Sequence, residues 1–230
     1  MVTVLRKPPE LVWSKASYEP DSDYLDQAAT RWASFCERHP SAFDGLITHV
    51  AAVHRSGCGG ATLHVQPCPY RFHAVQGAGF DLGVRALGVT GLVARGGCLL
   101  MGQRSEHVAH YQGMWEFGPS GGVEPEKGVV QSLAEEITEE VGLKMRGLPV
   151  ASALLRDQRL RTWELVYEVQ VNEDSPGTSG EYTDVRWVDL ASDLPHPLSP
   201  FAAQLIAKLG QWNKGNAVAK LDEKKSDERT

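Results

Sequence analysis

No run of this sequence approaches the ~20 apolar residues that a membrane-spanning helix needs. The opening stretch MVTVLRKPPELVWSK has no apolar core of the kind a signal peptide carries, so a secretory leader is not expected. A basic excess is missing as well: 23 Lys and Arg stand against 29 Asp and Glu, a formal charge of −6. General binding to nucleic acid or to an anionic membrane wants a basic field, and neither partner is expected. Nucleotides stay open, because a metal ion neutralises a phosphate locally. Cysteine is scarce, and Cys36, Cys58, Cys68 and Cys98 form no C-x-x-C pair. That spacing argues against a structural zinc site and reads as reduced thiols of a cytoplasmic protein. No internal repeat is visible.

What remains is 230 residues with an ordinary 42% apolar fraction, enough for one good-sized domain or one domain plus a smaller attachment. RALGVTGLVARGG and CLLMGQR read as a hairpin with a Gly-Gly turn. VVQSLAEEITEEVGL places Val130, Leu133, Ile137 and Val141 at steps of three and four, the spacing of an amphipathic helix, with Gly142 suited to its C-terminal cap. LPVASALLRD, RTWELVYEVQV and DVRWVDL read as strands. SPFAAQLIAKLGQW reads as a helix capped by Ser199 with Pro200 at its first position. Strands on both sides of a helix, followed by another helix, predict an α/β sandwich over residues 79–213. Residues 1–78 read as a separate α+β extension, with a helix in DSDYLDQAATRWASFCERHP and short strands in LITHVAAVHR and ATLHVQP. Residues 214–230 are polar and read as a disordered tail.

The stretch AEEITEEVGL carries the most chemistry. Glu136, Glu139 and Glu140 fall at i, i+3 and i+4 and project to one helix face. A fully solvated acidic face costs only a few tenths of a kcal/mol per pair. In a cleft the balance changes: two unit charges ~5 Å apart at an effective dielectric of ~20 repel by roughly 3 kcal/mol. Such a cluster then needs a raised pKa or a cation. Upstream, the glycines of GMWEFGPSGGVEPEK give a strand exit where backbone can approach a ligand closely.

The stretch from Gly121 to Leu143 resembles the signature of the Nudix hydrolases, G-x5-E-x7-R-E-U-x-E-E-x-G-U with U apolar. Gly121, Glu136, Ile137, Glu139, Glu140, Gly142 and Leu143 match in register. GMWEF before it and GEYTDVRWVDL after it are Nudix-like flanks, and the resemblance covers about residues 80–210. It implies a Nudix α/β/α sandwich and metal-dependent hydrolysis of a diphosphate linkage. Glu136, Glu139 and Glu140 would hold Mg2+ or Mn2+, with Glu136, Glu139 and Glu181 in catalytic positions. Glu181 is the loop carboxylate that some members use as base; Glu164, in a strand, ranks below it. Two positions depart from the pattern: Lys127 stands where the signature has its first glutamate, and Glu135 where it has arginine. The inverted signs predict that Lys127 and Glu135 pair and keep the loop braced to the helix. Glu126, one residue earlier, is the alternative, and a degenerate site is the reading if the brace is absent.

The run Arg104, Ser105, Val108, Gly113, Gly121, Gly122, Glu124 and Pro125, together with Tyr70 and Arg71, is similar to the Nudix group that hydrolyses UDP-glucose and UDP-galactose. That likeness implies a nucleoside diphosphate sugar as substrate, bound by Tyr70, Arg71, Arg104, Gly121 and Gly122, with the N-terminal extension roofing the cleft. Trp115, Tyr111 and Trp163 are candidates to stack a base, and His73, His107 and His110 to touch phosphate. ADP-ribose, a dinucleotide, a nucleoside triphosphate and a prenyl diphosphate are the alternative substrates. A nucleotide-sugar sensor without turnover is the alternative class. Many members pair, which leaves a homodimer open.

Overall fold

The computed structural model describes residues 2–172, 175–191 and 194–213. In chain order the elements are β1 (Val2–Val4), β2 (Glu10–Trp13), α1 (Leu25–Arg38), β3 (Leu46–Arg55), β4 (Ala61–Pro69), α2 (Tyr70–Ala74), β5 (Ala86–Arg95) and β6 (Cys98–Arg104). They continue with β7 (Trp115–Phe117), β8 (Ser120–Gly122), α3 (Val129–Val141), β9 (Met145–Asp157), β10 (Thr162–Val171), β11 (Tyr182–Val188) and α4 (Pro200–Asn213). The tail expected over residues 214–230 lies outside the described residues.

The strand β5 organises the sheet. Its apolar run ALGVTGLVA is buried on both faces, as a strand covered by helices on either side must be. Leu87, Val89 and Val93 face the core that contains Leu133, Ile137 and Val141 of α3. Leu92 faces the opposite core, with Val166 of β10 and Ala202 and Leu205 of α4. One helix therefore covers each face, and the expected α/β/α sandwich is the observed one. The hairpin β5–β6 turns at Gly96 and Gly97, both at positive φ, where glycine carries no Cβ penalty. The main path of the sheet runs β1-β9-β10-β5-β3-β4-β2, with β8 on β5, and β6 joined to β5, β7 and β11.

The N-terminal segment differs from the expectation of a separate layer. Residues 2–4 pair with β9, and β3 joins the central sheet at His49↔Ala86. The imidazole Nδ1 of His49 accepts the Arg85 N–H at 2.9 Å, and Thr48 N–H donates to the Val123 carbonyl. An isolated two-stranded hairpin is marginal in water, and pairing with the central sheet satisfies its open edge. A smaller core sits at this end, in which Phe72 of α2 and Val75 after it pack with Ala28 of α1, Cys68, and Phe80 and Leu82 from beyond the segment. No helix among the described residues is long and apolar enough to cross a membrane. The four cysteines are unpaired.

Candidate active site

The helix α3 is built on an i, i+4 stripe. Val129, Leu133, Ile137 and Val141 are buried, while Val130, expected in the stripe, is 40% exposed. Gly142 ends the helix at φ +68, and its N–H bonds the Thr138 carbonyl, so the cap is the one expected. Burying this stripe turns the neighbouring positions 136 and 140 toward β8. There the chain is glycine for a steric reason: a Cβ on Gly121 would collide with the Glu136 carboxylate. Glu140 is buried, and its Oε2 accepts the Ser120 N–H at 3.1 Å. Gly122 has open space around its Cα.

Further acids converge on the same place from other strands. Glu164 of β10 sits over Gly88, where a Cβ would collide with it, and its Oε1 accepts the Thr90 hydroxyl at 2.8 Å. Glu116 of β7 is buried; Arg104 Nη1 donates to its Oε1 at 2.6 Å and lies 3.9 Å from Glu181 Oε2. The Tyr182 hydroxyl lies 3.2 Å from Glu140 Oε2 and 3.5 Å from Glu116 Oε1. Glu181, exposed, is carried into the cluster by the backbone: Ser105 N–H bonds its carbonyl at 2.7 Å.

The electrostatics are those of crowded carboxylates. Burial first, and the charges of Glu139 and Glu181 next, push Glu136 up to about 7. Burial, then Glu181 and Glu136, raise Glu140 as well. Glu164 is pushed up to about 8, chiefly by burial. Burial also raises Glu116, and the Arg104 guanidinium only partly offsets it. Exposed carboxylates would not behave this way, so the solvated-face reading of α3 fails for Glu136 and Glu140. Glu139 is exposed and lies on the rim. Among the described residues no three of these groups stand in a geometry that holds one ion. Glu140 is tied to Ser120 and Tyr182.

The expected brace is present. Lys127 Nζ donates to Glu135 Oε2 at 2.8 Å and to Glu124 Oε1 at 2.9 Å, so Glu124 rather than Glu126 completes it. Hydrogen bonds to Glu135 and Glu124 raise the Lys127 ammonium, and the bond from Lys127 lowers Glu135. In thermal melts, Lys127→Ala and Glu135→Ala are each expected to cost stability, and the double variant less than their sum. Strict additivity would show that the contact contributes nothing to holding the loop on α3.

Several expected site residues are placed elsewhere. Arg71 pairs with Asp44, and Tyr70 packs edge-on against Trp32 and Phe35 at the start of the short helix α2, directly after β4. Their contacts belong to the N-terminal segment, not to the acid cluster. Arg104 is at the cluster, but with its charge turned to Glu116. Trp115 and Trp163 are buried in the cores, which excludes base stacking in this conformation. Tyr111 donates to Asp157 at 2.9 Å. His73 Nε2 meets the Leu160 carbonyl at 3.1 Å. Glu116 and Tyr182 escaped the sequence reading altogether. One signal was available: an acid between two aromatics in the strand WEF must be either exposed or partnered.

A model of the NUDIX domain matches residues 84–209, more than half of the chain. A search of curated proteins finds no match. Among solved structures, the chain is similar to the MutT NUDIX hydrolase from Burkholderia pseudomallei, 21% identical over 53% of this chain and 95% of that one, with a TM-score of 0.47. It is similar to the MutT protein from Methanosarcina mazei Go1, at 22% identity over 56% and 95% of the two chains and a TM-score of 0.46. A bifunctional NMN adenylyltransferase/ADP ribose pyrophosphatase from Francisella tularensis matches at 20% identity over 55% of this chain and 41% of that one, TM-score 0.43.

Proposed function

The chain belongs to the NUDIX domain family, and from that premise we propose that this pyrophosphohydrolase cleaves a nucleoside diphosphate linked to a further group, at the cleft between α3, β8 and β10. The observation that carries the proposal is the pair Glu136 and Glu140, crowded against glycine-rich backbone with their acidities weakened by burial and by neighbouring carboxylates. Divalent cations serve the family, and the residues present fit one. All the donors are hard oxygens. Magnesium is usually bound through one or two carboxylates, with waters and substrate phosphates completing its shell, so a preassembled set of three is not required. Glu136 and Glu140 would hold the ion, with Glu139 at the rim. The cation supplies charge that screens the diphosphate and lowers the pKa of a bound water.

The chain's own residues do the rest. The N–H of Ser120 fixes Glu140, and Gly121 gives the Glu136 carboxylate its space. Glu181, at the mouth of the cluster beside Arg104, accepts the proton of the attacking water, a role typically worth 10²–10⁴-fold. The water oxygen bonds to one phosphorus, the bridging P–O bond breaks, and two monophosphates leave. At the floor, Glu164 Oε2 makes no hydrogen bond among the described residues, while Oε1 holds Thr90. That leaves a carboxyl edge free to hydrogen-bond, and with the likeness of the Arg104–Pro125 run to the UDP-sugar-hydrolysing group it favours a nucleotide sugar, with a uridine diphosphate hexose first. The test is product identification after incubation of UDP-glucose, ADP-ribose, a dinucleotide and a nucleoside triphosphate side by side with Mg2+ or Mn2+. UMP and hexose 1-phosphate are expected. Faster turnover of ADP-ribose or a triphosphate, with UDP-glucose intact, would overturn the sugar reading and leave the diphosphate chemistry standing. Binding of nucleotide sugars with no turnover of any compound would favour the sensor.

A further inference from the structure

Tyr182 sits in a space made by two missing side chains. A Cβ on Gly102 of β6 would come within 2.5 Å of its ring, and one on Gly118 would collide with its hydroxyl. The strand β11 is irregular between Tyr182 and Asp184, and this register shift sets Tyr182 opposite Arg104. Before it, Ser105 anchors the chain through its N–H to the Glu181 carbonyl and its hydroxyl to the Gly180 carbonyl at 2.9 Å. The ring is 2% exposed, so packing alone would accept phenylalanine. Yet the hydroxyl lies between carboxylates from two different elements, Glu140 of α3 at 3.2 Å and Glu116 of β7 at 3.5 Å.

A phenol has one proton to donate. Glu116 Oε1 already receives Arg104 Nη1 at 2.6 Å, and the shorter phenol contact is to Glu140. Glu140 Oε2 thereby holds two donors, the Tyr182 hydroxyl and the Ser120 N–H at 3.1 Å, while Oε1 makes no hydrogen bond among the described residues. We propose that Tyr182 is the positioning residue of this site: its hydroxyl clamps one oxygen of Glu140 against the Ser120 amide and sets the orientation in which the other oxygen meets a divalent cation. The proposal rests on the metal-binding reading of the site. It assigns the ring to filling the Gly102–Gly118 hollow and the hydroxyl to metal affinity.

Tyr182→Phe separates the two roles, because it keeps the ring and removes the clamp. Mn2+ binding to the full chain is measured directly, by the electron paramagnetic resonance signal of the free ion, alongside the Mn2+ dependence of hydrolysis. Y182F is expected to weaken Mn2+ binding by about threefold to tenfold, the equivalent of one hydrogen bond. It should raise the Mn2+ concentration for half-maximal turnover by the same factor, with substrate KM at saturating metal little changed. Tyr167→Phe, which removes another buried phenol from the core under α3, should leave Mn2+ binding as in the parent. In a Glu140→Gln background, adding Y182F should cost no further affinity, since the phenol acts through Glu140. If Y182F melts too low at 25 °C, the same three variants are compared at 4 °C, so that the losses in the parent and in the E140Q background are both read. Parent-like Mn2+ binding by Y182F, or an equal further loss in the E140Q background, would overturn the proposal and leave the proposed function intact. A parent protein that binds no Mn2+ would overturn both. A parent that binds Mn2+ but cleaves no diphosphate would overturn only the proposed function, because the binding measurement still reads the clamp.

Discussion

Glu140→Gln is expected to melt higher than the parent protein in the absence of metal at pH 8, and to lose about 10²-fold or more of its turnover when metal is supplied. The two effects come from one cause. The folded chain holds Glu136 near 7 and raises Glu140 through burial and neighbouring carboxylates, whereas both ionise near ~4.3 when unfolded. Between those values the folded state binds protons that the unfolded state has released. Stability then falls as pH rises, since the slope follows the protons bound unfolded minus those bound folded. The favourable contribution is complete below the unfolded pKa and is lost as pH climbs through the folded one. His49, His73 and His110 are pushed down by burial and slope the other way. The carboxylate effect is therefore read as the difference between variant and parent. That difference should be near zero below about pH 4 and reach roughly 5 °C at pH 8, the scale of 1–2 kcal/mol for a chain of this size, after discounting for solvent at Glu136. Saturating Mg2+ or Mn2+ should raise the parent's Tm far more at pH 8 than at pH 5, and a chelator should abolish its turnover. A variant-minus-parent difference that does not change with pH would show that these acids are solvated and that the site holds no cation.

The part of the site that lies on α3 was legible because helical spacing is local. Ile137 and Val141 fix the buried stripe, and positions 136 and 140 follow from it. The stripe was read one residue late at its start, since Val129 and Val130 are equally apolar and only packing chooses between them. The Gly-Gly hairpin and the Ser199–Pro200 helix start were legible for the same local reason; Ser199 Oγ accepts the Ala202 N–H at 3.1 Å. Glu116 and Tyr182 were not legible, because they reach Glu140 through pairings of β6 with β7 and β11 that no local period encodes. The strands β1 and β2, of 3 and 4 residues, are too short to show a period. The junction of β3 with the central sheet is carried by one bridging pair, so sequence patterning had nothing to say about it. Tyr70 and Arg71 were expected to bind substrate, and no local pattern shows that Trp32, Phe35 and Asp44 lie against their side chains.

Arg104→Met is expected to lower Tm on the order of 10 °C, through the loss of about 3–5 kcal/mol that follows when one partner of a buried ion pair is removed. The side chains of Arg104 and Glu116 are 15% and 8% exposed, so solvent screens the pair little. Burial alone would lower the Arg104 guanidinium, but Glu116 first, with Tyr182 and Glu181, more than offsets it and the group ends raised. Glu116 ends raised too, because Arg104 offsets only part of its burial. The contact acts on both groups alike, and the two differ in burial, which is deeper for Glu116. Taking away the cation leaves Glu116 beside Glu181 without the positive charge it pairs with, so it must take up a proton to stay buried. Taking away the anion is milder, since Arg104 retains Glu181 at 3.9 Å. Glu116→Gln should therefore melt above Arg104→Met, and the double variant, which removes both charges, should recover a large part of the Arg104→Met loss. Turnover should fall in all three, because the Arg104–Glu116 pair walls in the Tyr182 hydroxyl that holds Glu140. Thermal melts of the four proteins at one pH decide the matter. A Tm for Arg104→Met within about 2 °C of the parent, under 1 kcal/mol at this chain length, would mean that the pair is hydrated in solution and that the wall between β6 and β7 is open to water.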